Sequence, residues 1–204
     1  MKKILCFGDS NTYGYNPSNG KRYSSDIRWT GLLQKFLSDK YKIIEGGCNN
    51  RTAFKINPEG IRQTGIEILP TYLQQNPDII ILSVGANDLQ IQYKTEINEF
   101  DRGISSLIDL IKQKSNDIQI ILCAPTFITQ GIYGTFFAEL FDETSITNSK
   151  LLPDIYKNIA YQKGCCFVNL NEFAQASQQD GLHYDEATHQ KIAKVFVQIL
   201  LNSF

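Results

Sequence analysis

The feature that most restricts the fold of this sequence is the regular alternation of short apolar runs with longer amphipathic segments. Two of the runs, "DIIILSVG" and "IQIILCAP", are almost continuously apolar, which is typical of strands that are covered on both faces. The apolar runs predict five strands, at residues 3–7, 41–44, 78–84, 118–123 and 165–170. The amphipathic segments predict helices at residues 29–37, 60–76, 96–114, 151–162 and 185–201.

This alternation of strands and helices also predicts how the strands are arranged. A helix between successive strands is typical of a parallel sheet with helices on both faces, joined by right-handed crossovers. We therefore expect an α/β fold of three layers, α/β/α, with a five-stranded parallel sheet in the flavodoxin-like order 2-1-3-4-5. The 204 residues fit a single domain, 1–204. An aromatic-rich segment at about 126–150 is longer than an ordinary strand-to-helix connection and is interpreted as an insertion.

Composition and the first residues restrict the class of protein. The formal net charge is −1, so no excess of basic residues is present for a nucleic acid partner. The apolar run after Met-Lys-Lys covers only residues 4–7 and is too short for a signal peptide, and no run is long enough to cross a membrane. The five cysteines include no CxxC pair, so we expect reduced thiols and no metal site. These features predict a cytoplasmic protein without nucleic acid or membrane partners.

Small polar residues cluster where three predicted strands end and just before the last helix. The four segments are "GDSNT" at 8–12, "GGCNNRT" at 46–52, "GAND" at 85–88 and "DGLH" at 180–183. Because the carboxyl ends of parallel strands share one edge of the sheet, we expect these segments to meet at a single site.

The residue types in these segments are those that acyl transfer requires. Ser10 is a candidate nucleophile, but a serine hydroxyl needs a base to take its proton. His183 is the candidate base, and Asp180, three residues earlier, is the candidate partner of its other ring nitrogen. The backbone N–H groups of Ser10 and Gly47 and the side-chain amide of Asn87 are candidate donors to the oxyanion. Gly46 is an alternative to Gly47.

Each candidate also has a purely structural interpretation. Ser10 is suited to cap the first helix, and Gly47, Asn87 and Asp180 are residues common in turns. His189 is the alternative base, but it precedes the apolar stripe of the last helix and is interpreted as a packed histidine. Asp9, Asp88 and Asp185 are interpreted as structural residues of turns and helix starts. Arg28 and Arg51 are expected to form structural or intersubunit ion pairs, with an anionic substrate group as the alternative.

Together the four segments resemble the conserved blocks of the SGNH hydrolases, also called GDSL-type esterases. "GDSNT" is similar to the first block, "EGGCNNRTA" to the second, "GAND" to the third and "DGLH" to the fifth. The resemblance implies that Ser10, His183 and Asp180 are catalytic and that Ser10, Gly47 and Asn87 bind the oxyanion. It spans nearly the whole chain.

Further segments, "GDSNTYGY", "DIRW" and "NNRT", resemble the arylesterase-like branch of that family. The sequence departs from the branch at Asn50 and at Thr188, where glycine is usual, and at Asn11, where leucine is usual. The branch implies hydrolysis of small aryl or sugar acetates and other short acyl esters, no cofactor, a small-molecule acyl ester as substrate, and assembly into a homo-oligomer.

The sequence therefore predicts a serine esterase of short acyl groups that works through a triad and an acyl-enzyme, with transfer of the acyl group to alcohols as a variant. Deacetylation of sugars is the main alternative substrate class. A flavodoxin-like module that binds a phosphate or FMN at the loop after the first strand is a second alternative. A non-catalytic relative that binds carbohydrate is a third.

Overall fold

The computed structural model of the protein describes residues 1–57 and 64–203. Five parallel strands form one sheet in the order β2-β1-β3-β4-β5, which confirms the predicted fold and strand order. The strands are β1 (Lys2–Gly8), β2 (Tyr41–Gly47), β3 (Ile79–Ser83), β4 (Gln119–Ala124) and β5 (Cys166–Asn169). The strand β2 extends three residues beyond its prediction, because its two terminal glycines continue the pairing with β1.

Seven α-helices lie in the described residues: α1 (Ser10–Tyr13), α2 (Trp29–Phe36), α3 (Gly65–Leu73), α4 (Glu99–Lys114), α5 (Glu143–Ser149), α6 (Leu152–Lys163) and α7 (Glu186–Ser203). Short 3-10 helices occur at Ala86–Leu89, Ile91–Tyr93, Gln130–Ile132, Phe136–Glu139 and Leu170–Glu172. The predicted start of the second helix at residue 60 lies outside the described residues. No helix in the described ranges combines the length and the apolar character needed to cross a bilayer.

The three layers follow from the alternation of side chains along the buried strands. In β1, Ile4 and Cys6 face the layer that contains Trp29 of α2 and the buried face of α7. Leu5 and Phe7 point to the other face of the sheet, into the layer formed by α3, α4 and α6. Successive strand residues point to opposite faces, so each of the central strands β1, β3 and β4 has buried apolar residues at nearly every position and contributes to both cores.

A crevice lies at the carboxyl end of β1. The next strand in the sequence, β2, pairs with one side of β1, and β3 pairs with the other side. Gly8, the last residue of β1, is in register with Gly47 of β2 and with Ser83 of β3. A Cβ at Gly8 would lie 2.3 Å from the carbonyl oxygen of Ser83, so only glycine allows this close approach. In open α/β sheets such a point is the usual place for a ligand.

The predicted insertion packs across this edge of the sheet. It contains two of the 3-10 helices and α5, and its backbone is tied to the turn before His183 by the hydrogen bond from the N–H of Thr129 to the carbonyl of Gly181, 2.9 Å. Ser145 in α5 donates its hydroxyl to the carbonyl of Leu89, 2.7 Å. These contacts join the insertion to the polar segment 180–183 and to the residue that directly follows the polar segment 85–88.

Candidate active site

The turn after β1 presents the hydroxyl of Ser10 to the crevice. Asp9 is the N-cap of α1, and its carboxylate accepts a hydrogen bond from the backbone N–H of Asn11, 3.0 Å. Burial raises the pKa of Asp9 to about 6, although that hydrogen bond acts in the opposite direction. Because Asp9 provides the cap, Ser10 is the first helical residue and its hydroxyl is free for another partner.

The structure brings Ser10, His183 and Asp180 together in one hydrogen-bonded row. The Oγ of Ser10 lies 2.8 Å from Nε2 of His183, and Nδ1 of His183 lies 2.7 Å from Oδ2 of Asp180. The three residues are only 6 %, 2 % and 3 % exposed. The row spans 173 residues of sequence between the serine and the histidine, and its order is the one that activates a serine hydroxyl.

Asp180 also shapes the turn that carries His183. Its Oδ1 accepts hydrogen bonds from the backbone N–H groups of Leu182, 3.0 Å, and His183, 2.9 Å. Burial by itself would raise the pKa of Asp180, but the hydrogen bonds and the charge of the His183 ring outweigh it, so the pKa lies below its ordinary value. The carboxylate therefore stays ionised and holds a proton on Nδ1 of the imidazole.

Two aromatic rings enclose the imidazole of His183. The Tyr15 ring lies 4.1 Å from it and the Phe137 ring 5.0 Å from it, measured between ring centroids. Aromatic faces stabilise a neighbouring positive charge, so both rings favour the charged form of this imidazole. The tyrosine lies three residues after the first polar segment and the phenylalanine belongs to the insertion, so the insertion takes part in the site.

Asn11, one of the positions at which the sequence departs from the family pattern, holds the backbone on both sides of His183. The Asn11 side chain donates to the carbonyl of Leu182, 3.2 Å, and accepts from the N–H of Tyr184, 3.1 Å. The indole of Trp29 in turn donates to the carbonyl of Asn11, 3.1 Å. Asn11 thus links the turn of the nucleophile to the turn of the base.

The second polar segment presents Asn50, and not Gly47, to the cavity beside Ser10. A Cβ at Gly47 would lie 2.2 Å from the backbone nitrogen of Tyr13, so this glycine is required by the packing of β2 against α1. Asn50 lines the cavity together with Ser10 and has a φ of 60°, a left-handed conformation that asparagine tolerates better than most residues. Its backbone N–H donates to no acceptor among the described residues.

The sequence did contain a signal for Asn50. Position 50 is where the arylesterase-like branch carries glycine, the residue that adopts a positive φ most readily. Gly47, the donor predicted from this loop, is not among the residues that line the cavity, whereas Asn50 of the same loop is.

Asn87 lies at the cavity as predicted, in the 3-10 helix after β3. Its Nδ2 donates to the carbonyl of Arg51, 3.0 Å, and its Oδ1 accepts from Nε2 of Gln90, 3.0 Å. An amide nitrogen carries two hydrogens, so one N–H of Asn87 remains for a ligand. Gln90 was not identified from the sequence.

The cavity in front of Ser10 has a volume of about 440 Å³, and two chemically different groups of residues contribute to its lining. One group has carboxamide side chains: Asn49, Asn50, Asn57, Asn87, Gln90 and Gln92. The other group is apolar and mainly aromatic: Tyr15, Phe136, Phe137, Leu140, Phe141 and Leu182. The aromatic residues of the insertion thus line the cavity as well as the core. The described lining has no Lys, Arg, Asp or Glu, which fits a neutral ligand.

Arg28 and Arg51 lie outside this lining and have structural partners. Arg28 binds both carboxylate oxygens of Glu45, at 2.7 Å and 2.8 Å. Arg51 is buried, stacks on the Phe7 ring at 4.5 Å and donates to the carbonyls of Gly8 and Gly46. The expectation of structural roles agrees with these contacts, although the partners of Arg51 are carbonyls and a ring.

Asp88 and Asp185 also have structural contacts. Asp88 is fully buried, and its carboxylate accepts backbone hydrogen bonds from residues 53, 54 and 55, at 2.6 Å, 3.0 Å and 2.9 Å. It therefore ties the second polar segment to the third. Asp185 accepts from the N–H of Thr188, 2.8 Å, at the start of α7. Neither carboxylate belongs to the row formed by Ser10, His183 and Asp180.

His189 is packed behind the site and takes no part in the row. Its side chain is completely buried, and its Nδ1 accepts a hydrogen bond from the backbone N–H of Trp29, 3.3 Å. The rings of Tyr23 and Tyr184 contact it edge to face. Burial lowers the pKa of His189 from 6.5 to about 4, so the folded protein keeps this ring neutral.

The buried neutral ring of His189 predicts an acid-dependent loss of stability. Between pH 6.5 and pH 4 the unfolded chain binds a proton on this ring and the folded chain does not, so the free energy of unfolding falls as the pH falls. His189→Asn keeps an acceptor for Trp29 but cannot titrate. From pH 7.5 to pH 4, wild type should lose about 3 kcal/mol more than this variant in urea unfolding.

The comparison between the two proteins isolates His189. Asp9 and Asp88, whose pKa values burial raises to about 6, stabilise the folded state as the pH falls, but they do so equally in both proteins. A difference in unfolding free energy that stays constant across this pH range would show that His189 is not held neutral.

Comparison with known proteins gives the family. Residues 4–196 match the model of the family described as GDSL-like lipase/acylhydrolase. No protein with a curated description matches the sequence.

Solved structures share the whole fold. Est24, a carbohydrate acetylesterase from Sinorhizobium meliloti, is 25% identical with a TM-score of 0.92, and the match covers 100% of both chains. A carbohydrate acetylesterase family member from the same organism is 25% identical with a TM-score of 0.89, over 98% of this chain and 97% of that chain. The native aryl esterase of M. smegmatis, 24% identical over 100% of both chains with a TM-score of 0.93, shows the likeness in fold alone. The chain therefore belongs to the GDSL-like lipase/acylhydrolase family, also called the SGNH hydrolases, a family of ester-hydrolysing enzymes.

Proposed function

We propose that this protein is a serine esterase that hydrolyses short-chain acyl esters of acetyl type through an acyl-enzyme on Ser10. The observation that carries the proposal is the buried row of Ser10, His183 and Asp180, with distances of 2.8 Å and 2.7 Å, at the wall of the 440 Å³ cavity. A buried serine with this arrangement of partners has the geometry of an activated nucleophile.

In the first half of the reaction, Oγ of Ser10 attacks the ester carbonyl while Nε2 of His183 takes its proton. Asp180 holds the Nδ1 proton of the imidazole and stabilises the positive charge that forms on the ring. The oxyanion of the tetrahedral intermediate is bound by the backbone N–H groups of Ser10 and Asn50 and by the free N–H of the Asn87 side chain. The intermediate collapses when His183 gives the proton to the leaving alcohol, and the acyl group remains on Ser10.

In the second half, a water molecule takes the place of the alcohol. His183 removes a proton from the water as the water attacks the acyl carbonyl, and the same three donors bind the new oxyanion. Return of the proton to Ser10 releases the carboxylic acid. An alcohol bound in place of the water receives the acyl group instead, and the product is then a new ester.

The size of the cavity supports a small substrate. At about 440 Å³ it is near the lower end of the range for ligand pockets, and the acyl and alcohol parts must share it. The aromatic rings beside His183 reduce the room next to the reacting carbon. We therefore assign a short acyl chain.

The carboxamide-rich lining favours a second candidate, the deacetylation of sugars. Six carboxamide residues line the cavity, and the amide groups among them that are not already paired within the protein offer donors and acceptors to hydroxyl groups. Aromatic residues line the same cavity. A neutral, hydroxyl-rich alcohol with an apolar face fits this combination of lining residues. The flavodoxin-like module is not proposed, because the family match includes the "DGLH" turn, which that function does not use.

A labelling experiment tests the nucleophile, and a substrate panel tests the specificity. A fluorophosphonate probe is expected to label one residue, and peptide mass spectrometry is expected to locate the adduct on Ser10. Labelling at another residue, or none in folded protein, would refute the mechanism.

In the substrate panel, kcat/KM for p-nitrophenyl acetate should exceed kcat/KM for p-nitrophenyl octanoate by about 10-fold or more.

The same panel separates the two candidate substrate classes. Acetate release from an acetylated monosaccharide is compared with release from phenyl acetate at equal concentrations. A higher kcat/KM on the sugar supports deacetylation of sugars, and a higher value on phenyl acetate supports an aryl ester. Faster hydrolysis of the octanoate than of the acetate would contradict both assignments.

A further inference from the structure

A buried carboxamide lies beside the oxyanion donors and has no role in the catalytic steps proposed above. Gln90 is 1 % exposed and follows the 3-10 helix that carries Asn87. Its Nε2 donates to Oδ1 of Asn87 at 3.0 Å and to Oδ1 of Asn50 at 2.5 Å. One amide group therefore contacts the side chains of two residues from different loops, and each of these residues supplies one proposed donor.

The hydrogen bond from Gln90 to Asn87 determines the orientation of the Asn87 side-chain amide. The oxygen and nitrogen of a carboxamide exchange places when the group turns by 180°, and the hydrogen-bond partners decide between the two orientations. With Oδ1 held by a donor from Gln90, Nδ2 faces the carbonyl of Arg51 and the cavity. The reversed amide would place Oδ1 against that carbonyl and against an oxyanion, and both contacts are repulsive.

The orientation of Gln90 is itself determined by a neighbour. Nε2 of Gln92 donates to Oε1 of Gln90, 2.8 Å. The oxygen of Gln90 is thereby occupied, and its nitrogen is left to face Asn87 and Asn50. The side chains of Gln92, Gln90 and Asn87 thus form a chain of hydrogen bonds, in which Gln92 orients Gln90 and Gln90 orients Asn87.

The hydrogen bond from Gln90 to Asn50 stabilises a strained turn of the backbone at Asn50. A residue other than glycine in the left-handed region persists only where its surroundings maintain it, and Asn50 has a φ of 60°. The hydrogen bond to its side chain comes from Gln90. This bond keeps the turn in place, and with it the direction of the Asn50 N–H.

We propose that Gln90 is a positioning residue for the oxyanion site, holding the Asn87 and Asn50 donors in place through a single amide group. The proposal rests on the proposed function of the site as an esterase. It predicts that Gln90 acts on the transition state, where the oxyanion exists, and not on binding of the uncharged ester.

Two substitutions at Gln90 test this. Gln90→Met has a similar length and lacks both N–H donors, and Gln90→Glu has the same shape and places oxygens against Oδ1 of Asn87 and of Asn50. Both are expected to lower kcat for p-nitrophenyl acetate by about 10- to 100-fold, with KM changed by less than about 3-fold. A trifluoromethyl ketone, which forms an oxyanion adduct with Ser10, should bind more weakly by a similar factor.

Gln34→Met is the matched control. Gln34 also uses both ends of its amide, towards the backbone of Tyr41 and Ile43 in β2, but it lies outside the cavity lining. This variant loses the same groups and should keep kcat within about 2-fold. Thermal unfolding of every variant shows whether a loss of activity reflects loss of fold, and the isosteric Gln90→Glu decides the question if Gln90→Met does not fold.

A double-mutant cycle tests the contact with Asn50 separately. Glycine at position 50 has no side chain to hold and adopts the left-handed conformation without strain. The fold-decrease in kcat caused by Gln90→Met should therefore be smaller in an Asn50→Gly background than in wild type, by a factor of about 3 or more. Equal losses in the two backgrounds would exclude the Asn50 contact.

The failure of this proposal is distinguishable from failure of the proposed function. If wild type hydrolyses the ester and both Gln90 variants keep kcat and inhibitor binding within 2-fold, Gln90 does not position the donors. A loss confined to KM would also overturn the assignment. If wild type neither hydrolyses esters nor reacts with a fluorophosphonate at Ser10, the esterase function itself fails.

Discussion

Ser10→Ala is expected to lower kcat for p-nitrophenyl acetate by about 10⁴-fold or more. The substitution removes the one protein atom that forms a bond to the acyl group in the proposed mechanism, so no acyl-enzyme can form. The fold should survive, because the change deletes one hydroxyl whose partner, Nε2 of His183, lies at the cavity wall. Initial rates, circular dichroism and thermal unfolding of the two proteins measure both effects.

Ser83→Ala provides the matched control for this prediction. Ser83 is a buried serine at the end of β3, in register with Gly8 at the same edge of the sheet, but it lies outside the cavity lining. This variant should keep kcat within about 2-fold of wild type. Residual activity of Ser10→Ala above about 1 % of wild type, with contaminating esterase excluded, would contradict the assignment of the nucleophile.

Asp180→Asn is expected to lower kcat by about 10³- to 10⁴-fold at neutral pH with little loss of stability. The asparagine oxygen can still accept the backbone N–H groups of Leu182 and His183, which Oδ1 of Asp180 now accepts. Its NH₂ group would face Nδ1 of His183, where the carboxylate oxygen lies at 2.7 Å. The imidazole would then carry its proton on Nε2, and that nitrogen could not take the proton of Ser10.

Asp185→Asn is the control for Asp180→Asn. Asp185 lies two residues after His183 and accepts the N–H of Thr188 at the start of α7, and asparagine serves as well as aspartate at the start of a helix. Its kcat should stay within about 2-fold. A loss of less than 10-fold for Asp180→Asn, measured with folded protein, would show that Asp180 does not determine the tautomer of the imidazole.

The architecture was predictable because its causes are local along the chain. The nearly continuous apolar runs "DIIILSVG" and "IQIILCAP" indicated buried strands, and helical patterns between the strands indicated a parallel sheet. The structure confirms the strand order 2-1-3-4-5. Element ends were less predictable: α4 begins three residues later than predicted, at Glu99, and the four-residue helix α1 was not predicted because so short a helix has no apolar period.

The polar segments were recognisable for a related reason. Parallel strands have their carboxyl ends at one edge of the sheet. The residues that follow β1 and β3 are therefore expected to lie close together, even though the sequence gives no distances. This argument placed Ser10, Asn87 and His183 at one site. It predicted Gly47 as a donor, with Gly46 as the alternative, and did not identify Asn50, because the choice depends on backbone direction within a loop and on the space beside α1, which residue types alone do not specify.

By itself, the sequence determined the α/β architecture and the four polar segments, since periodicity and residue chemistry are properties of short stretches of chain. Tertiary structure alone decided which atoms meet: that Asp9 and not Ser10 caps α1, that Asn11 holds both sides of His183, and that Gln90 contacts two loops at once. The physical reason is that hydrogen bonds depend on distance and direction to within tenths of an ångström. Those quantities are fixed only when segments far apart in the chain pack against one another.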